Sequence, residues 1–326
     1  MQQWKKYFSG LALLFLLTFG VLAGCGSTSE ESKQEETKTE QGETKQGAFP
    51  VTIKDSTGKD ITIEEKPEKI VSLLPSLTEI LFALGLDEEI VGVSDYDNYP
   101  EATADKEKVG SQDMNLEKIL ALQPDVAFLQ EYHVQNHANA IKQLEDAGIT
   151  VIVPEGDQKS FEDAYDVMRL IAKATGTEKE ADAIIADMEE RVAAIKEKAK
   201  NVKEKKTVWV EVSPQPDIFT TGKDTFMNEM LGMIGAENAA KDQVGWVKMS
   251  EEEAVKLNPD VIITTYGYYV EDAAEQVLNR KGWAEIPAVK NKQVFDVDSD
   301  TVTRPGPRLV DGVEELAKVI YPDIFQ

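Results

Sequence analysis

Residues 115–126 read NLEKILALQPDV, and 135 positions later residues 250–261 read SEEEAVKLNPDV. Both copies contain a polar N-cap residue, an acid at the second helical position, a short helix, a Pro-Asp turn and the start of a strand. A pattern that returns after so long an interval predicts two lobes of related build, because solenoid repeats are far shorter.

Short apolar runs of strand type alternate with helical segments around each copy. This alternation predicts βαβ units and parallel sheets. The sequence therefore predicts an α/β fold of two lobes, each a mostly parallel sheet flanked by helices. Ser76 and Glu79 fit the capping box that begins a helix. The strands are predicted at 69–74, 90–93, 126–129, 150–153, 207–212 and 261–265, and the helices at 76–84, 116–122, 138–147 and 226–234.

Two helices are predicted between the lobes, at 161–174 and 179–202. An apolar residue recurs every three or four positions in the second helix, which gives it one apolar stripe opposite a charged face. About 22 helical residues span roughly 33 Å, one domain width, so this helix is predicted to join the lobes as a strut that resists wide hinge motion. The stripe consists of Ala181, Ile184, Met188, Val192, Ile195 and Ala199.

The N-terminus has the features of a secretory signal. Lys5 and Lys6 precede an apolar segment, 11–22, that is too short for an ordinary membrane span. The sequence Leu-Ala-Gly-Cys at 22–25 resembles the bacterial lipobox, which implies removal of residues 1–24 and a lipid anchor on Cys25. The alternative is an ordinary signal peptide with an incidental cysteine. Residues 26–47 contain only Gly, Ser, Thr, Glu, Gln and Lys, so 25–48 is predicted to be the lipidated cysteine and a solvated tether.

Composition excludes several classes of protein. The chain has 326 residues, 41% of them apolar, which is enough for one large or two ordinary cores. Its formal charge of -25 argues against nucleic acid as a partner. A single cysteine excludes an internal disulfide and a cysteine-based metal centre. No nucleophile elbow, P-loop or glycine-rich dinucleotide turn is present, so we predict no enzyme activity and no cofactor.

Motifs along most of the folded chain resemble the helical-backbone (class III) substrate-binding proteins of ABC importers, and most closely the vitamin B12 (cobalamin) binding proteins. The resemblance implies a ligand clamped between two lobes, delivery to a membrane permease driven by a separate ATPase, and a monomer at the extracytoplasmic face of the cell membrane. It implies an N-terminal lobe at 49–158, connecting helices at 159–203 and a C-terminal lobe at 204–326. The motifs lie at 69–79, 91–94, 96, 99–100, 114–117, 122–125 and 220–223.

Ligand contacts are predicted in loops at the carboxyl ends of strands, where open α/β sheets bind ligands. The resemblance implies that Tyr96 and Trp246 contact a corrin, whereas Ser111-Gln112 and Glu131-Tyr132 stand where cobalamin binders have tryptophans. Stacked aromatic side chains suit a flat macrocycle. The predicted ligand residues are Tyr96, Gln112, Glu131, Tyr132, His133, Trp246, Tyr266, Tyr268 and Arg304.

Glu117 and Glu252 occupy the same position in the two copies of the repeat. Acids at helix starts are stabilised by the helix dipole, which is one explanation for both. The resemblance implies another, in which one glutamate per lobe docks on arginines of the permease.

The only histidines, His133 and His137, are four residues apart and could share a helix face as metal ligands. Two histidines fall short of the usual ligand set, so we predict no metal site. The favoured function is a corrinoid-binding lipoprotein. The alternatives are a ferric siderophore or haem receptor, for which Arg304 and Lys248 are candidate cations, a surface enzyme acting on a corrinoid or metal chelate, and a surface sensor or adhesin.

Overall fold

The structure, a computed structural model, describes residues 49–326. The predicted signal peptide, Cys25 and the predicted tether lie outside the described residues. None of the helices within 49–326 is long and apolar enough to cross a membrane. The N-terminal elements are β1 (Val51–Lys54), β2 (Asp60–Ile63), β3 (Ile70–Ser72), α1 (Pro75–Ala83), β4 (Ile90–Val93), a 3-10 helix (Glu101–Asp105), β5 (Glu107–Lys108), α2 (Leu116–Leu122), β6 (Val126–Phe128), α3 (Glu131–Asn136), α4 (Ala138–Asp146) and β7 (Thr150–Ile152).

Two long helices follow, α5 (Phe161–Thr175) and α6 (Glu178–Ala199). The C-terminal elements are β8 (Thr207–Ser213), β9 (Phe219–Thr221), α7 (Phe226–Met233), β10 (Glu237–Asn238), β11 (Trp246–Lys248), α8 (Glu251–Leu257), β12 (Val261–Thr264), α9 (Ala273–Leu278), α10 (Pro287–Lys290), β13 (Val294–Asp296), α11 (Ser299–Thr303) and α12 (Leu309–Ile320).

Each lobe is built on its own sheet. The N-terminal sheet has the order β5-β4-β3-β6-β7 with every pair parallel, and β1 and β2 form a separate hairpin. The C-terminal sheet has the order β11-β9-β8-β12-β13, in which β10, β12 and β13 are parallel to their partners and β9 is antiparallel to both neighbours. The predicted α/β class with two mostly parallel sheets is confirmed, and the carboxyl ends of the five N-terminal strands share one edge.

The repeat seen in the sequence is a structural repeat. Asn115 and Ser250 each cap a seven-residue helix by accepting a hydrogen bond from the backbone N–H three residues on. The helices also end alike, because Gln123 (φ 50°) and Asn258 (φ 48°) both adopt the left-handed conformation that closes a helix. α2 and α8 therefore enter and leave their lobes in the same way.

The aspartates of the two Pro-Asp turns form equivalent hydrogen bonds. Oδ2 of Asp125 accepts hydrogen bonds from the backbone N–H groups of Glu68 (2.8 Å) and Lys69 (2.9 Å). Oδ2 of Asp260 accepts from the N–H (2.9 Å) and the hydroxyl (3.0 Å) of Thr207. Each turn thus ties the strand that follows it to the start of the neighbouring strand, which fixes their register.

One apolar cluster, which we call the shared core, extends from one sheet to the other through α1, α5, α6, α7 and α12. Ile70 and Phe128 of the first sheet and Val208 of the second belong to it. Alternate residues of the same strands, such as Val71 and Trp209, face two separate outer clusters. Because one face of each sheet contributes to the shared core, the lobes are joined by packed side chains. The lobe boundaries at 158/159 and 203/204 stay predictions.

α6 has 22 residues, a length of about 33 Å, and packs against α5, α7 and α12. Its buried side chains match the predicted stripe with two changes, since Ile185 is buried in place of Ile184, and Ile184 and Ala199 are only partly buried against the core. Arg191 of α6 also binds Glu314 of α12 (3.0 Å). The resistance of this helix to hinge motion stays a prediction.

α1 begins differently from the prediction. Leu74 is its N-cap without a side-chain hydrogen bond, and Pro75 is at the first helical position, where its missing N–H costs nothing. The predicted capping box of Ser76 with Glu79 is wrong, because the Glu79 carboxylate points to two arginines that follow β13.

Candidate functional site

A cavity of about 420 Å³ lies where the carboxyl ends of β3, β6 and β7 meet the segment that follows α11. This volume is within the range of small-molecule pockets, about 300–1,000 Å³. Because the lining comes from both lobes, we call it the interlobe cavity. Its lining residues are Leu74–Leu77, Leu129–Tyr132, Pro154–Gly156, Gln158 and Thr303–Pro305.

Three predicted ligand residues line this cavity, Glu131, Tyr132 and Arg304. Glu131 begins α3, directly after β6, and Tyr132 beside it is 38% exposed. Their place at a strand's carboxyl end follows from the parallel sheet, which brings all such loops to one edge.

The large apolar side chains that are exposed are concentrated in a few loops. Tyr96 and Tyr99 follow β4, Tyr132 follows β6, and Tyr268 and Tyr269 follow β12. The Tyr268 and Tyr269 rings pack edge-on at 4.7 Å, and Tyr132 also lines the interlobe cavity. We call the whole set the apolar rim; its members within the described residues are Tyr96, Tyr99, Tyr132, Phe219, Val244, Trp246, Tyr268 and Tyr269.

The remaining members of the apolar rim lie at β9 and β11. Phe219 is opposite Ser213, the last residue of β8, and Trp246 is on the neighbouring strand opposite Thr221. Residues that pair directly or two positions apart share a face, so Phe219 and Trp246 are on the same face of the ribbon. The Trp246 ring packs edge-on against Phe226 at 5.9 Å. The sequence analysis missed Phe219, although it directly precedes the recognised motif at 220–223.

Gln112 is exposed in the loop after β5 and is not part of the cavity lining. Tyr96, Trp246 and Tyr268 are likewise outside the lining, on the apolar rim. The structure thus places some of the predicted ligand residues in the cavity lining and the others outside it.

Tyr266 is buried, with 1% of its surface exposed, so it offers no face to a ligand in this conformation. Its hydroxyl donates to Oε1 of Glu211 at 2.5 Å, and Arg280 binds both oxygens of Glu211 at 2.7 and 2.8 Å. Burial, with the charge of Glu211, raises the pKa of Tyr266, which keeps this phenol protonated as a donor. Tyr266 is therefore an anchor for the loop that carries Tyr268 and Tyr269, and its predicted ligand contact is corrected.

His133 is also buried, at 0% exposure. Its Nδ1 accepts the backbone N–H of Gln130 at 3.1 Å, and its Nε2 donates to the carbonyl oxygen of Ser111 at 2.7 Å. Burial lowers the pKa of His133, in agreement with a neutral imidazole. Since both nitrogens are used, His133 holds two loops together, and the prediction that it contacts a ligand is corrected.

The same hydrogen bonds remove His133 from the metal alternative, which needed a free nitrogen on each histidine. The two rings lie 6.0 Å apart, and Nε2 of His137 is 3.8 Å from Asp113. Among residues 49–326, no group of three or more His, Cys, Asp or Glu side chains is placed to hold a metal ion.

Arg304 is at the centre of a charged cluster. Its guanidinium lies 3.0 Å from Glu79 and donates to Asn98 at 2.7 Å, and it is 2.9 Å from Asp300. Arg308 binds the same Glu79 with two hydrogen bonds, of 2.8 and 2.7 Å. We call these five residues the arginine cluster.

The arginine cluster joins the two lobes. Glu79 belongs to α1 and Asn98 to the loop after β4, whereas Asp300, Arg304 and Arg308 follow β13. Asn98 also donates to Asp300 at 2.8 Å. The sequence analysis missed Glu79, because the local pattern favoured a capping role and the arginines lie more than 220 positions away.

Arg308 has one more partner in the N-terminal lobe. Its guanidinium carbon lies 3.9 Å from the centre of the Tyr99 ring, a cation–π distance. Burial alone would lower the pKa of Arg308, but the hydrogen bonds and charge of Glu79 outweigh it, so the pKa is raised. Arg308 is therefore held permanently charged by groups from the other lobe.

Glu117 and Glu252 are both exposed at the second position of α2 and α8. Neither carboxylate has a hydrogen bond or ion pair within the part of the chain that the structure describes. Both carboxylates are therefore free to meet an external partner, and their docking on a permease stays a prediction.

A family model described as Periplasmic binding protein matches residues 70–301. An uncharacterized ABC transporter substrate-binding lipoprotein of Bacillus subtilis, YvrC, is 50% identical over 320 residues, 98% of this chain and 98% of that protein. A vitamin B12-binding protein of Vibrio parahaemolyticus is 27% identical over 265 residues, 79% of this chain and 91% of that protein.

Solved structures are similar over most of the described residues. A possible iron-binding, periplasmic solute-binding protein of Staphylococcus epidermidis is 37% identical, with a TM-score of 0.70 over 79% of this chain and 100% of that one. A periplasmic haem-binding protein of Roseiflexus is 27% identical, with a TM-score of 0.70 over 79% of this chain and 99% of that one.

Proposed function

This chain belongs to the periplasmic binding protein family, as an ABC transporter substrate-binding lipoprotein, and from that premise we propose that it captures cobalamin or a related corrinoid between its two lobes. Membership makes it a non-enzymatic substrate-binding lipoprotein of an ABC importer, anchored to the membrane on the extracytoplasmic side. Its partners are a permease and a small ligand. The identity of that ligand is the substance of the proposal.

The charge of the interlobe cavity carries the proposal. Arg304 is the one cation among its lining residues, and Glu79 and Asp300 already neutralise it. Glu131 and Glu155 also line the cavity and add negative charge. A corrinoid has a macrocycle surrounded by neutral amide side chains, so it meets no repulsion here. Haem propionates and ferric catecholates are anionic and would approach two carboxylates without a free cation.

The apolar rim supports the same ligand class. Tyr96, Trp246 and Tyr268 present large ring surfaces with exposures of 70%, 43% and 78%. Such rings bind a broad, partly apolar ligand by stacking and by burying area. We therefore assign Tyr96, Trp246 and Tyr268 to the macrocycle, with Gln112 as a further polar contact, and Glu131, Tyr132 and Arg304 to groups that enter the cavity.

The vitamin B12-binding relative is consistent with this ligand, whereas the haem-binding and possible iron-binding structures favour the alternative, a haem or ferric siderophore receptor. For an anionic ligand of this kind, Arg304 would have to leave Glu79 to bind the anion. Arg308 would then remain as the partner of Glu79.

For delivery, we propose that Glu117 and Glu252 dock on basic residues of the permease, one in each lobe. Their equivalent positions on α2 and α8 present one carboxylate per lobe. Exposed charges of this kind steer and register transient complexes. A separate ATPase drives the transport step.

Calorimetry of the mature chain, Cys25 to Gln326, tests the ligand. Cyanocobalamin, cobinamide, haemin and a panel of ferric siderophores are titrated at the same ionic strength. We expect both corrinoids to bind and the anionic ligands to bind more weakly. Tight binding of a siderophore or haemin with no heat from either corrinoid would establish the alternative.

A further inference from the structure

Glu79 is almost enclosed by the arginine cluster. Its side chain is 4% exposed, and it accepts three hydrogen bonds, one from Arg304 and two from Arg308. It is not among the residues that line the interlobe cavity. Glu79 is therefore close to the ligand site without forming part of its surface.

The charges of the arginine cluster balance. Glu79 and Asp300 supply two negative charges, and Arg304 and Arg308 supply two positive ones. Only Arg304 faces the cavity, while Arg308 is held by Glu79 and the Tyr99 ring. The arginine that lines the cavity is thus already neutralised by its acidic partners.

We propose that Glu79 determines the charge specificity of the cavity, by cancelling the positive charge of Arg304 and Arg308 and so denying anionic ligands a free cation. The inference rests on the proposed ligand site and adds to it a residue that does not touch the ligand. Specificity of this kind comes from withholding an attraction from the wrong ligand.

The low exposure of the cluster makes this cancellation effective. The side chains of Arg304, Arg308 and Glu79 are exposed by 19%, 16% and 4%, so solvent screens their charges less than it would at a free surface. Without the charge on Glu79 the cluster would carry one net positive charge beside the cavity. Asp300 would remain as the single acid of the cluster, 2.9 Å from Arg304.

Glu79→Gln tests the inference, because glutamine has the same size and still accepts a hydrogen bond. Three probes are titrated into the mature chain: haemin, a ferric tris-catecholate and cyanocobalamin. We expect both anionic probes to bind at least about tenfold more tightly than to the wild type, with the gain reduced as salt is added. Affinity for cyanocobalamin should change less than about twofold, since the molecule has no net charge, its phosphodiester being balanced by the cobalt centre.

Glu314→Gln is the matched control. It removes the same charge from an acid that binds Arg191 at the α6–α12 contact, outside the cavity lining. We expect no gain in anion affinity from it. The double variant Glu79→Gln with Arg308→Gln restores the charge balance and should return anion affinity to the wild-type value. Asp300→Asn removes one charge from the cluster with Glu79 in place, and we expect the same gain from it. This variant provides the test if Glu79→Gln does not fold.

An anion affinity unchanged in folded Glu79→Gln, or equally raised in Glu314→Gln, overturns the inference. So does a double variant that keeps the full gain. The proposal that the ligand is a corrinoid is refuted separately if the wild type binds neither corrinoid while Glu79→Gln still gains anion affinity. A wild type that binds cyanocobalamin, with no anion gain in any cluster variant, removes the role of Glu79 and leaves the proposed function intact.

Discussion

Nε2 of His133 lies 2.7 Å from the carbonyl oxygen of Ser111, and this contact joins the loop after β5 to the start of α3. The opposite ring nitrogen accepts the N–H of Gln130, which lies two residues after the end of β6. One neutral imidazole thus satisfies a donor and an acceptor on two loops beside the interlobe cavity. Its protonation would remove the acceptor and leave the Gln130 N–H without a partner.

Acid is expected to destabilise the protein through His133. Burial lowers the pKa of His133 below its ordinary 6.5, which means that the folded protein favours the neutral imidazole. The resulting contribution to stability is fully present above pH 6.5 and is lost as the pH falls through the lowered pKa. His133→Gln cannot gain a proton in this range. The melting temperature of the wild type should fall more than that of His133→Gln between pH 7.5 and 4.5. Parallel curves for wild type and His133→Gln would contradict this.

The buried Glu211–Arg280 pair is expected to dominate the stability of the C-terminal lobe. Arg280→Met leaves the Glu211 carboxylate buried with only the Tyr266 hydroxyl, which should cost about 3–5 kcal/mol. Glu211→Leu combined with Arg280→Met removes both charges and should recover much of that loss. Urea unfolding followed by circular dichroism measures both. A double variant no more stable than the single one would refute the explanation.

Trp246→Ala is expected to weaken cyanocobalamin binding at least about tenfold, roughly 1.4 kcal/mol, because it removes a ring surface that is 43% exposed on the apolar rim. Trp246→Phe should retain most of the affinity, since it keeps a ring and the contact with Phe226. Titration calorimetry gives both values. An unchanged affinity in folded Trp246→Ala would place the macrocycle elsewhere.

Loss of Glu117 and Glu252 together is expected to impair transport and to leave ligand binding unchanged within about twofold. The measurement is uptake of labelled ligand by cells that carry Glu117→Ala with Glu252→Ala, beside calorimetry of the purified variant. Asp182→Ala with Glu190→Ala makes the same charge change on the exposed face of α6 and should transport normally. A loss of ligand affinity would instead place the two glutamates in the ligand site.

Asp97→Asn is expected to be at least as stable as the wild type at neutral pH. Asp97 is buried, its Oδ2 accepts the Ser94 N–H at 2.6 Å, and its Oδ1 has no partner. Burial raises the pKa of Asp97 above its ordinary 3.8 although the hydrogen bond from Ser94 lowers it, so its contribution to stability falls as the pH rises through the raised pKa. The advantage of Asp97→Asn in melting temperature should therefore be larger at pH 7.5 than at pH 4.5. A larger advantage at pH 4.5 than at pH 7.5 would refute this explanation.

The fold could be predicted from the sequence because its signals are local. The caps at Asn115 and Ser250 act on the backbone three residues away, and the Pro-Asp turns sit at the ends of the same short helices. Local patterns of this kind place a helix or a strand without knowledge of the rest of the chain. The parallel pairing of the strands then follows from the alternation of strands and helices.

The site was harder to predict, because the role of a polar side chain depends on partners distant in sequence. Glu79 meets Arg304 across 225 positions, and Tyr266 meets Glu211 across 55. The local sequence predicts that Glu79 caps a helix and that Tyr266 lies in a ligand-binding loop. Neither prediction includes the buried partner. Exposed aromatic residues such as Trp246 and Tyr132 are easier to single out as candidates, since an aromatic residue at a strand end needs no distant partner to be noticed.

The shared core has a consequence for how such receptors diversify. Because α5, α6, α7 and α12 pack both sheets into one apolar cluster, a chimaera that takes one lobe from a relative would join two halves of a core that did not evolve together. Replacement of the loops at the carboxyl ends of the strands disturbs no such packing. New ligand preferences in this architecture should therefore arise by loop exchange and point substitution, with the two halves of the molecule inherited together.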